Sequence, residues 1–238
     1  MKNQYFGDIN DYKKYGLLRS IITATKFRVF VAWMLTPDDG GLDGQFTAYI
    51  DEPGKYRDHD PILFDGLKRF LTESKERHVG LIETTDLVPG AVYFSKITPD
   101  SASQRAEWFA SLLDCLSESD LVFLDPDNGL EVKSTPYGRK SSSKFLYWRE
   151  VKEIWSVGQS LLIYQHFIRE KRPQFIQRML EAFHTATPGS LVEAFSTANV
   201  VFLMALQPGH QRFNGVILDA VQARWQGRIR HWDLDQGT

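Results

Sequence analysis

The stretch Leu121-Val122-Phe123-Leu124-Asp125-Pro126-Asp127-Asn128-Gly129 joins four apolar residues to a run of acidic and turn-forming residues. The apolar half is short and continuous, which is typical of a strand buried on both faces of a parallel sheet. The second half predicts a loop directly at the end of that strand. Two further apolar runs have the same form, at residues 27–35 and 161–167. We therefore predict that these three segments are neighbouring parallel strands of one sheet.

Helical patterns alternate with the apolar runs along the chain. A helix is predicted over residues 12–25, with Asp8 or Asp11 as its cap. Further helices are predicted at residues 60–78, 101–116, 143–155, 173–185 and 213–225. Additional strands are predicted at residues 46–50, 91–97, 191–196, 200–206 and 229–234. This order predicts an α/β fold in one domain over residues 1–238, with a doubly wound, mostly parallel Rossmann-like sheet and a C-terminal antiparallel hairpin.

Composition excludes several classes of protein. The 238 residues are 42% hydrophobic and 24% charged, as in ordinary globular domains. The single cysteine, Cys115, excludes an internal disulfide and a cysteine-based zinc cluster. Because no apolar run reaches about 18 residues and the first ten residues lack an apolar signal, we expect a cytoplasmic protein with no membrane segment. The net charge of −2 means that any nucleic-acid binding has to come from a local patch.

Polar residues follow the predicted strands, at the edge of a doubly wound sheet where ligands bind. Asp125, Asp127 and Asn128 leave their strand together and could bind a metal ion or a substrate amine. His166 follows another strand and could orient a substrate or exchange a proton. The alternatives are ordinary turn chemistry for the aspartates and a structural role for the histidine.

A glycine-rich loop follows the first predicted strand at residues 36–44. It contains Asp38, Asp39, Gly40 and Gly41. Glycine lets the backbone approach a ligand closely, and carboxylates can accept ribose hydroxyl groups or bind Mg²⁺. The spacing matches neither the dinucleotide-binding nor the Walker phosphate loop. A polar turn is the alternative interpretation.

Two further segments stand out by their content of aromatic and charged residues. The first, residues 137–149, is basic and aromatic, and further cations follow it in the chain. We predict that five of these cations form one positive surface that binds nucleic acid: Arg139, Lys140, Lys144, Arg169 and Arg172. The alternative is a solvated helix start with its aromatic face in the core. The second segment, residues 5–19, is dense in aromatic and charged residues, and its default interpretation is a capped surface helix.

Residues 5–19, 33–44 and 123–131 together resemble an uncharacterised family of bacterial proteins. Their layout also resembles Rossmann-fold methyltransferases that use S-adenosylmethionine, in particular the ribosomal-RNA adenine-N6 methyltransferases and the three-Cys-motif partner proteins. Those proteins begin with an aromatic-Asp-Lys-His helix, where this chain has Asp11, Lys14 and Tyr15. Their Asp-Pro-Pro-Tyr motif corresponds to residues 125–128, which lack the second proline and the aromatic residue that stacks on the target base.

The resemblance implies a methyltransferase-like enzyme that acts on DNA or RNA. It implies that Asp125 accepts a hydrogen bond from the amine being methylated, assisted by Asn128, in a catalytic set completed by Asp127 and His166. The cofactor S-adenosylmethionine would be bound by a second set of residues: Lys14, Asp38, Asp39, Gly40 and Gly41.

Two other functions fit the same residues. A Mg²⁺-dependent nuclease or phosphohydrolase would gather four aspartates around the metal ion: Asp38, Asp39, Asp125 and Asp127. A non-catalytic binding module on a decayed methyltransferase fold would keep the acidic loops for structure alone. Four carboxylates in one cleft need a compensating charge, and Lys14, Lys144 or a divalent metal ion could supply it.

Overall fold

The computed structural model describes residues 1–41, 44–74 and 76–234. Its helices are α1 (Ile9–Thr25), α2 (Pro53–Tyr56), α3 (Pro61–Glu73), α4 (Gly80–Glu83), α5 (Ala102–Leu113), α6 (Trp148–Ser156), α7 (Arg172–Ala186) and α8 (Asn214–Trp225). Its strands are β1 (Val29–Ala32), β2 (Val92–Phe94), β3 (Leu121–Leu124), β4 (Gly129–Leu130), β5 (Phe145–Leu146), β6 (Ser160–His166), β7 (Leu191–Ser196), β8 (Val200–Leu206) and β9 (Arg230–Trp232). Within these ranges, no helix has both the length and the apolar character needed to cross a membrane.

Seven of the strands form one sheet in the order β2-β1-β3-β6-β8-β7-β9. β1 pairs in parallel with β2 and β3, and β3 pairs in parallel with β6. β8 is antiparallel to both β6 and β7, and β9 is antiparallel to β7. Five of the seven strands therefore point the same way. The predicted fold class is confirmed, including the three neighbouring parallel strands and the C-terminal hairpin.

The side chains of the central strands alternate between two hydrophobic clusters, one on each face of the sheet. Val31 of β1 and Phe123 of β3 pack in the first cluster with residues of α1, α3 and α8. Phe30 and Val122, one position away on the same strands, pack in the second cluster with residues of α5, α6 and α7. Because helices cover both faces, β1 and β3 are apolar at every position.

Helix α1 begins and ends where its sequence supplies the termination signals. The Asp8 side chain accepts the backbone N–H groups of Asn10 and Asp11, which have no partner within the first helical turn. At the other end, Lys26 takes a left-handed backbone conformation with φ of 62°. Such a residue commonly ends a helix. Helix α3 begins in the predicted way, with Asp60 as its cap.

Two predicted elements are wrong. Residues 46–50 form no strand, because the backbone turns there and Ala48–Asp51 is a short 3-10 helix. The helix predicted over residues 143–155 begins only at Trp148, because Phe145–Leu146 pairs in parallel with Gly129–Leu130. Glu150 defines the actual start by accepting the backbone N–H of Tyr147 at 3.0 Å.

Candidate functional site

The crevice at the carboxyl ends of β1 and β3 is the topological switch point of the sheet. β2 lies on one side of β1 and β3 on the other, so successive connections run in opposite directions from this point. Met34, just beyond β1, has a left-handed backbone with φ of 47°, which is strained for a residue other than glycine. Asp125 directly follows β3, and His166 ends β6. Ligands of doubly wound folds bind at this edge, so these side chains are the first candidates for function.

Lys14 of α1 lies at the centre of a buried ion cluster in this crevice. Its Nζ atom lies 2.6 Å from Asp11 Oδ1 and 2.7 Å from Asp125 Oδ2. All three side chains are at most 3% exposed. The Tyr15 hydroxyl donates to Asp11 Oδ2 at 3.1 Å, and the Lys14 ammonium lies 5.2 Å from the centre of the Tyr164 ring. Helix α1 therefore supplies the cation that compensates the carboxylate after β3.

Burial and charge act in opposite directions on this cluster. Burial raises the pKa of Asp125, and the positive charge of Lys14 counteracts that rise. Burial alone would lower the pKa of Lys14, but the charges of Asp11 and Asp125 outweigh it and raise the pKa. Burial, reinforced by the charge of Asp11, raises the pKa of Asp8 to about 7. Lys14 is therefore stabilised as a cation by its two carboxylates, and Asp8 keeps its proton to a higher pH than an ordinary aspartate does.

Asp127 carries a buried carboxylate oxygen, Oδ1, that has no hydrogen-bond partner among the described residues. Its side chain is 2% exposed. The other oxygen, Oδ2, lies 3.7 Å from Lys2 Nζ and 3.7 Å from Lys144 Nζ, which is too far for a hydrogen bond. A buried acceptor without a donor is unfavourable and uncommon. Asp127 is therefore well placed to accept a hydrogen bond from a bound ligand.

Gln165 of β6 fixes the loop that follows β3. Its side-chain oxygen accepts the backbone N–H of Leu130 at 2.7 Å, and its side-chain nitrogen donates to the carbonyl oxygen of His166 at 2.8 Å. Gly129 lies directly against this amide with φ of +93°, and an added Cβ would fall 2.5 Å from Gln165 Oε1. The glycine after Asn128 is therefore required by the close approach as well as by its backbone conformation.

These elements surround a cavity of about 480 Å³, which we call the acidic cavity. Four of its described lining residues are aspartates and one is a lysine: Asp8, Asp11, Asp125, Asp127 and Lys14. Tyr5, Phe46 and Tyr164 contribute aromatic rings, and Asn10 and Asn199 contribute amides. Phe46 is 67% exposed although it is large and apolar. The cavity thus combines acceptor oxygens with aromatic surface.

Five of the predicted site residues line the acidic cavity: Lys14, Asp125, Asp127, Asn128 and His166. Asn128 is exposed at its edge. Burial lowers the pKa of His166, although the charges of Asp125 and Asp127 oppose that change. The structure thus brings together residues from α1, from the loop after β3 and from the end of β6.

The glycine-rich loop after β1 lies beside the acidic cavity, and among its described residues Gly44 lines it whereas Asp38, Asp39, Gly40 and Gly41 do not. Asp39 Oδ2 pairs with Lys2 Nζ at 2.6 Å, and Asp38 Oδ1 accepts the backbone N–H of Gln4 at 3.2 Å. Lys2 also lies near Asp127, so it connects the loop to the cavity. Gly40 and Gly41 are exposed. Two other members of the loop, Leu42 and Asp43, lie outside the described residues.

The four predicted metal ligands do not all line the acidic cavity, because its described lining includes Asp125 and Asp127 but neither Asp38 nor Asp39. Lysines compensate the charges of the aspartates instead. Lys14 pairs with Asp125, while Lys2 lies between Asp39 and Asp127. Another group of possible ligands does meet among the residues that the structure describes. Its ligand atoms lie within 4.8 Å of one another, and it comprises Glu193, His231 and Asp233. In that group, His231 Nε2 lies 2.5 Å from Glu193 Oε2.

The five cations predicted to bind nucleic acid differ in their neighbours and in their exposure to solvent. Lys144 lies 3.7 Å from Asp127 Oδ2. Arg172 lies over the ring of Phe167, 4.9 Å from its centre. The side chains of Arg139, Lys140 and Arg169 are exposed. Their assignment to one nucleic-acid surface stays a prediction.

Several cavity residues were not predicted as site residues: Tyr5, Asp8, Asn10, Phe46, Tyr164 and Asn199. The available signal was the density of aromatic and charged residues in residues 5–19. Its interpretation as a surface helix is wrong, because α1 is largely buried and includes the buried cations Lys13, Lys14 and Arg19. Phe46 lies in the strand predicted at residues 46–50, which does not form.

No family model matches the chain, and a search of curated proteins found no match. Among solved structures, it matches protein LPL1258 from Legionella pneumophila str. Philadelphia 1, whose crystal structure is described with the family model DUF519. The match covers 95% of this chain and 96% of that chain, with 10% sequence identity and a TM-score of 0.42.

Proposed function

We propose that this protein is a methyltransferase-like enzyme that methylates an amino group of a nucleobase, using S-adenosylmethionine. The observation that carries the proposal is the buried Oδ1 of Asp127, which lacks a donor among the described residues and lines the acidic cavity. An amino group is a donor of the kind that this oxygen lacks. Asp125, two residues away, is held by Lys14 at the same strand end.

The chemistry of the lining residues fits the proposed cofactor. The described lining has more carboxyl groups than cationic groups, with four aspartates beside Lys14 and the amino group of Met1, which favours a ligand with a positive charge and with amine donors. S-adenosylmethionine has both, and when bound it supplies an electrophilic methyl group on a sulfonium. Asp8 and Asn10 at the start of α1 would bind its polar groups. The exposed ring of Phe46 would cover a planar heterocycle.

Other residues of the acidic cavity would position the target amine and accept its proton. Asp127 would accept an N–H of the target amine and so orient the nitrogen lone pair. Asn128, exposed at the cavity edge, would supply a second polar contact. The amine must lose a proton when it gains a carbon substituent, and the Asp127 carboxylate or the His166 imidazole would receive it. Lys14 acts as a positioning residue, because it contacts Asp125 and Asp11.

Methyl transfer from radiolabelled S-adenosylmethionine to unmodified RNA and DNA tests the proposal. We expect transfer by the wild type and a loss of at least about 100-fold in Asp127→Asn, the lower range for a positioned acid–base group. Asp120→Asn is the matched control, because Asp120 pairs with Arg28 at the opposite end of β3. Binding of the cofactor, measured by calorimetry, should persist in both variants.

Other outcomes favour the competing functions. Mg²⁺-dependent cleavage of the same nucleic acids without methyl transfer would overturn the proposal in favour of a nuclease. Nucleic-acid binding with neither reaction, and with no binding of S-adenosylmethionine, would overturn it in favour of a non-catalytic module.

A further inference from the structure

A second cavity, of about 750 Å³, lies beyond the carboxyl ends of β6 and β7. We call it the basic groove. Phe167, just after β6, forms one part of its wall, and the first residue of α7, Arg172, lies beside it. The segment Gly227–Trp232, which includes β9, supplies another part. The turn between β7 and β8 completes it through Thr197 and Ala198.

The charge of the basic groove is opposite to that of the acidic cavity. Three arginines line it, Arg172, Arg228 and Arg230, together with His231. None of its described lining residues is an aspartate or a glutamate. The whole chain has a net charge of −2, so this concentration of arginine is a local feature. The start of α7 also has no side-chain cap, which leaves backbone N–H groups of its first turn available to an anion.

Aromatic rings support the arginines of the groove. The guanidinium carbon of Arg230 lies 4.0 Å from the centre of the Trp232 ring, and that of Arg172 lies 4.9 Å from the centre of the Phe167 ring. Arg228 is held by the backbone carbonyl of Lys55 at 3.2 Å. A guanidinium stacked on a ring keeps the N–H groups at its edge available for phosphate oxygens. The groove therefore offers ordered phosphate donors and aromatic surface together.

The groove and the acidic cavity share two short segments of chain as their boundary. His166 lines the cavity, and the next residue, Phe167, lines the groove. In the turn after β7, Thr197 and Ala198 line the groove, while Asn199 lines the cavity. Because consecutive Cα atoms are 3.8 Å apart, the two sites adjoin at both of these points.

We infer that the basic groove binds the sugar-phosphate backbone of a single-stranded nucleic acid whose next base enters the acidic cavity. The inference rests on the proposed function, because it assigns the substrate strand of the same site. Phosphates match Arg172 and Arg230, whose guanidinium groups stack on rings of the groove, and bases match its aromatic surface. A single strand is favoured because a base within a duplex enters a cavity only by flipping out of its stack, which costs unstacking and unpairing energy.

Fluorescence anisotropy with a labelled single-stranded RNA of about 12 nucleotides tests the inference. The variant is Arg172→Gln with Arg230→Gln. The matched control is Arg28→Gln with Arg212→Gln, because both residues lie at the opposite edge of the sheet, before β1 and after β8. Both pairs remove two positive charges and retain a polar side chain. Measurements omit S-adenosylmethionine, so that binding is scored independently of methyl transfer.

We expect the groove variant to bind at least about tenfold more weakly than the wild type at low salt. Its plot of log affinity against log salt should be shallower by about 1.4, which is about 0.7 for each lost phosphate contact to a single strand. The control variant should bind as the wild type does.

Equal affinity and equal salt dependence in the two variants would overturn the inference, even if methyl transfer is observed. Equally tight binding of a duplex of the same sequence would overturn the assignment of a single strand. Equally tight binding of polyglutamate would show that the groove takes acidic polypeptides instead. Binding that depends on the groove, in a protein that transfers no methyl group, would support the groove while the proposed function fails.

Discussion

Lys14 Nζ lies 2.7 Å from Asp125 Oδ2, although 111 positions separate the two residues in the chain. This ion pair joins the helix before the first strand to the loop after the third. Asp11 holds the same ammonium from its other side at 2.6 Å. The site is therefore assembled by a buried lysine whose removal leaves two buried carboxylates without their cation.

Replacing Lys14 by methionine should lower the free energy of unfolding by about 3–5 kcal/mol, the usual loss when one partner of a buried ion pair is removed. Urea denaturation measures the change. Adding Asp125→Asn to the same chain should restore part of the loss, because it removes one of the uncompensated charges. A loss below about 1 kcal/mol in the single variant would contradict the assigned role of the lysine.

Asp127→Asn should change the free energy of unfolding by less than about 1 kcal/mol, because among the described residues the substitution removes no hydrogen bond to the carboxylate. Its Oδ1 has no donor among the described residues, and its Oδ2 is 3.7 Å from each lysine. Lys2 keeps Asp39 as a partner, and Lys144 is 34% exposed to water. Urea denaturation of the two single variants, Asp127→Asn and Asp125→Asn, compares their free energies of unfolding. Asp125→Asn should be the more destabilised. The reverse order would assign Asp127 a structural role.

Gly16→Ala should destabilise the protein even though alanine favours a helix over glycine by about 1 kcal/mol. An added Cβ would lie 1.9 Å from Cζ2 of Trp225, which is 1% exposed and packs α8 against α1. Overpacking of this kind destabilises by about 1–3 kcal/mol.

Gly215→Ala on α8 is the matched control for that substitution. Apart from the neighbouring residues of its own helix, no described residue has an atom within 4 Å of the added Cβ. It should be neutral or stabilise the protein by up to about 1 kcal/mol. Equal thermal midpoints for the two variants would show that α1 and α8 separate easily.

The stability of the protein should fall as the pH rises toward 7, through Asp8. Burial raises the pKa of Asp8 from 3.8 to about 7, so between these values the folded state binds a proton that the unfolded state has lost. The contribution of this proton is complete below the unfolded pKa and disappears as the pH passes the folded pKa. Asp8→Asn keeps a capping oxygen but cannot titrate. Urea denaturation between about pH 4 and pH 8 should give a steeper decrease in the wild type, and parallel curves would contradict the assignment.

The sequence predicts the sheet well because burial on both faces leaves a simple signal. Residues 29–35, 121–124 and 161–164 are apolar without interruption, and they contain or belong to β1, β3 and β6, which lie side by side. The start of α3 is also predicted from the sequence, because Asp60 is a typical helix-capping residue and is followed by proline. Ordered loops give no such periodic signal, which is why residues 46–50 were assigned to a strand.

The acidic cavity could be predicted only in part. Asp125, Asp127 and His166 follow strands, and the carboxyl ends of parallel strands meet at one edge. The position of Asp39 depends on Lys2, whose contacts with Asp39 and Asp127 follow no local rule. The partners of a buried charge are set by the folded chain as a whole.

The insertion of β8 between β6 and β7 determines the order in which the sheet can be completed during synthesis. β6 pairs on one side with β3, which precedes it in the chain, and on the other side with β8, whose residues 200–206 are synthesised later. Until then, a seven-residue, largely apolar strand presents unpaired backbone groups, the kind of edge that invites pairing between chains. A chain whose synthesis stalls before residue 200 would therefore expose the unpaired edge of β6, which is prone to aggregation. A chaperone that covers this edge would raise the yield of folded protein.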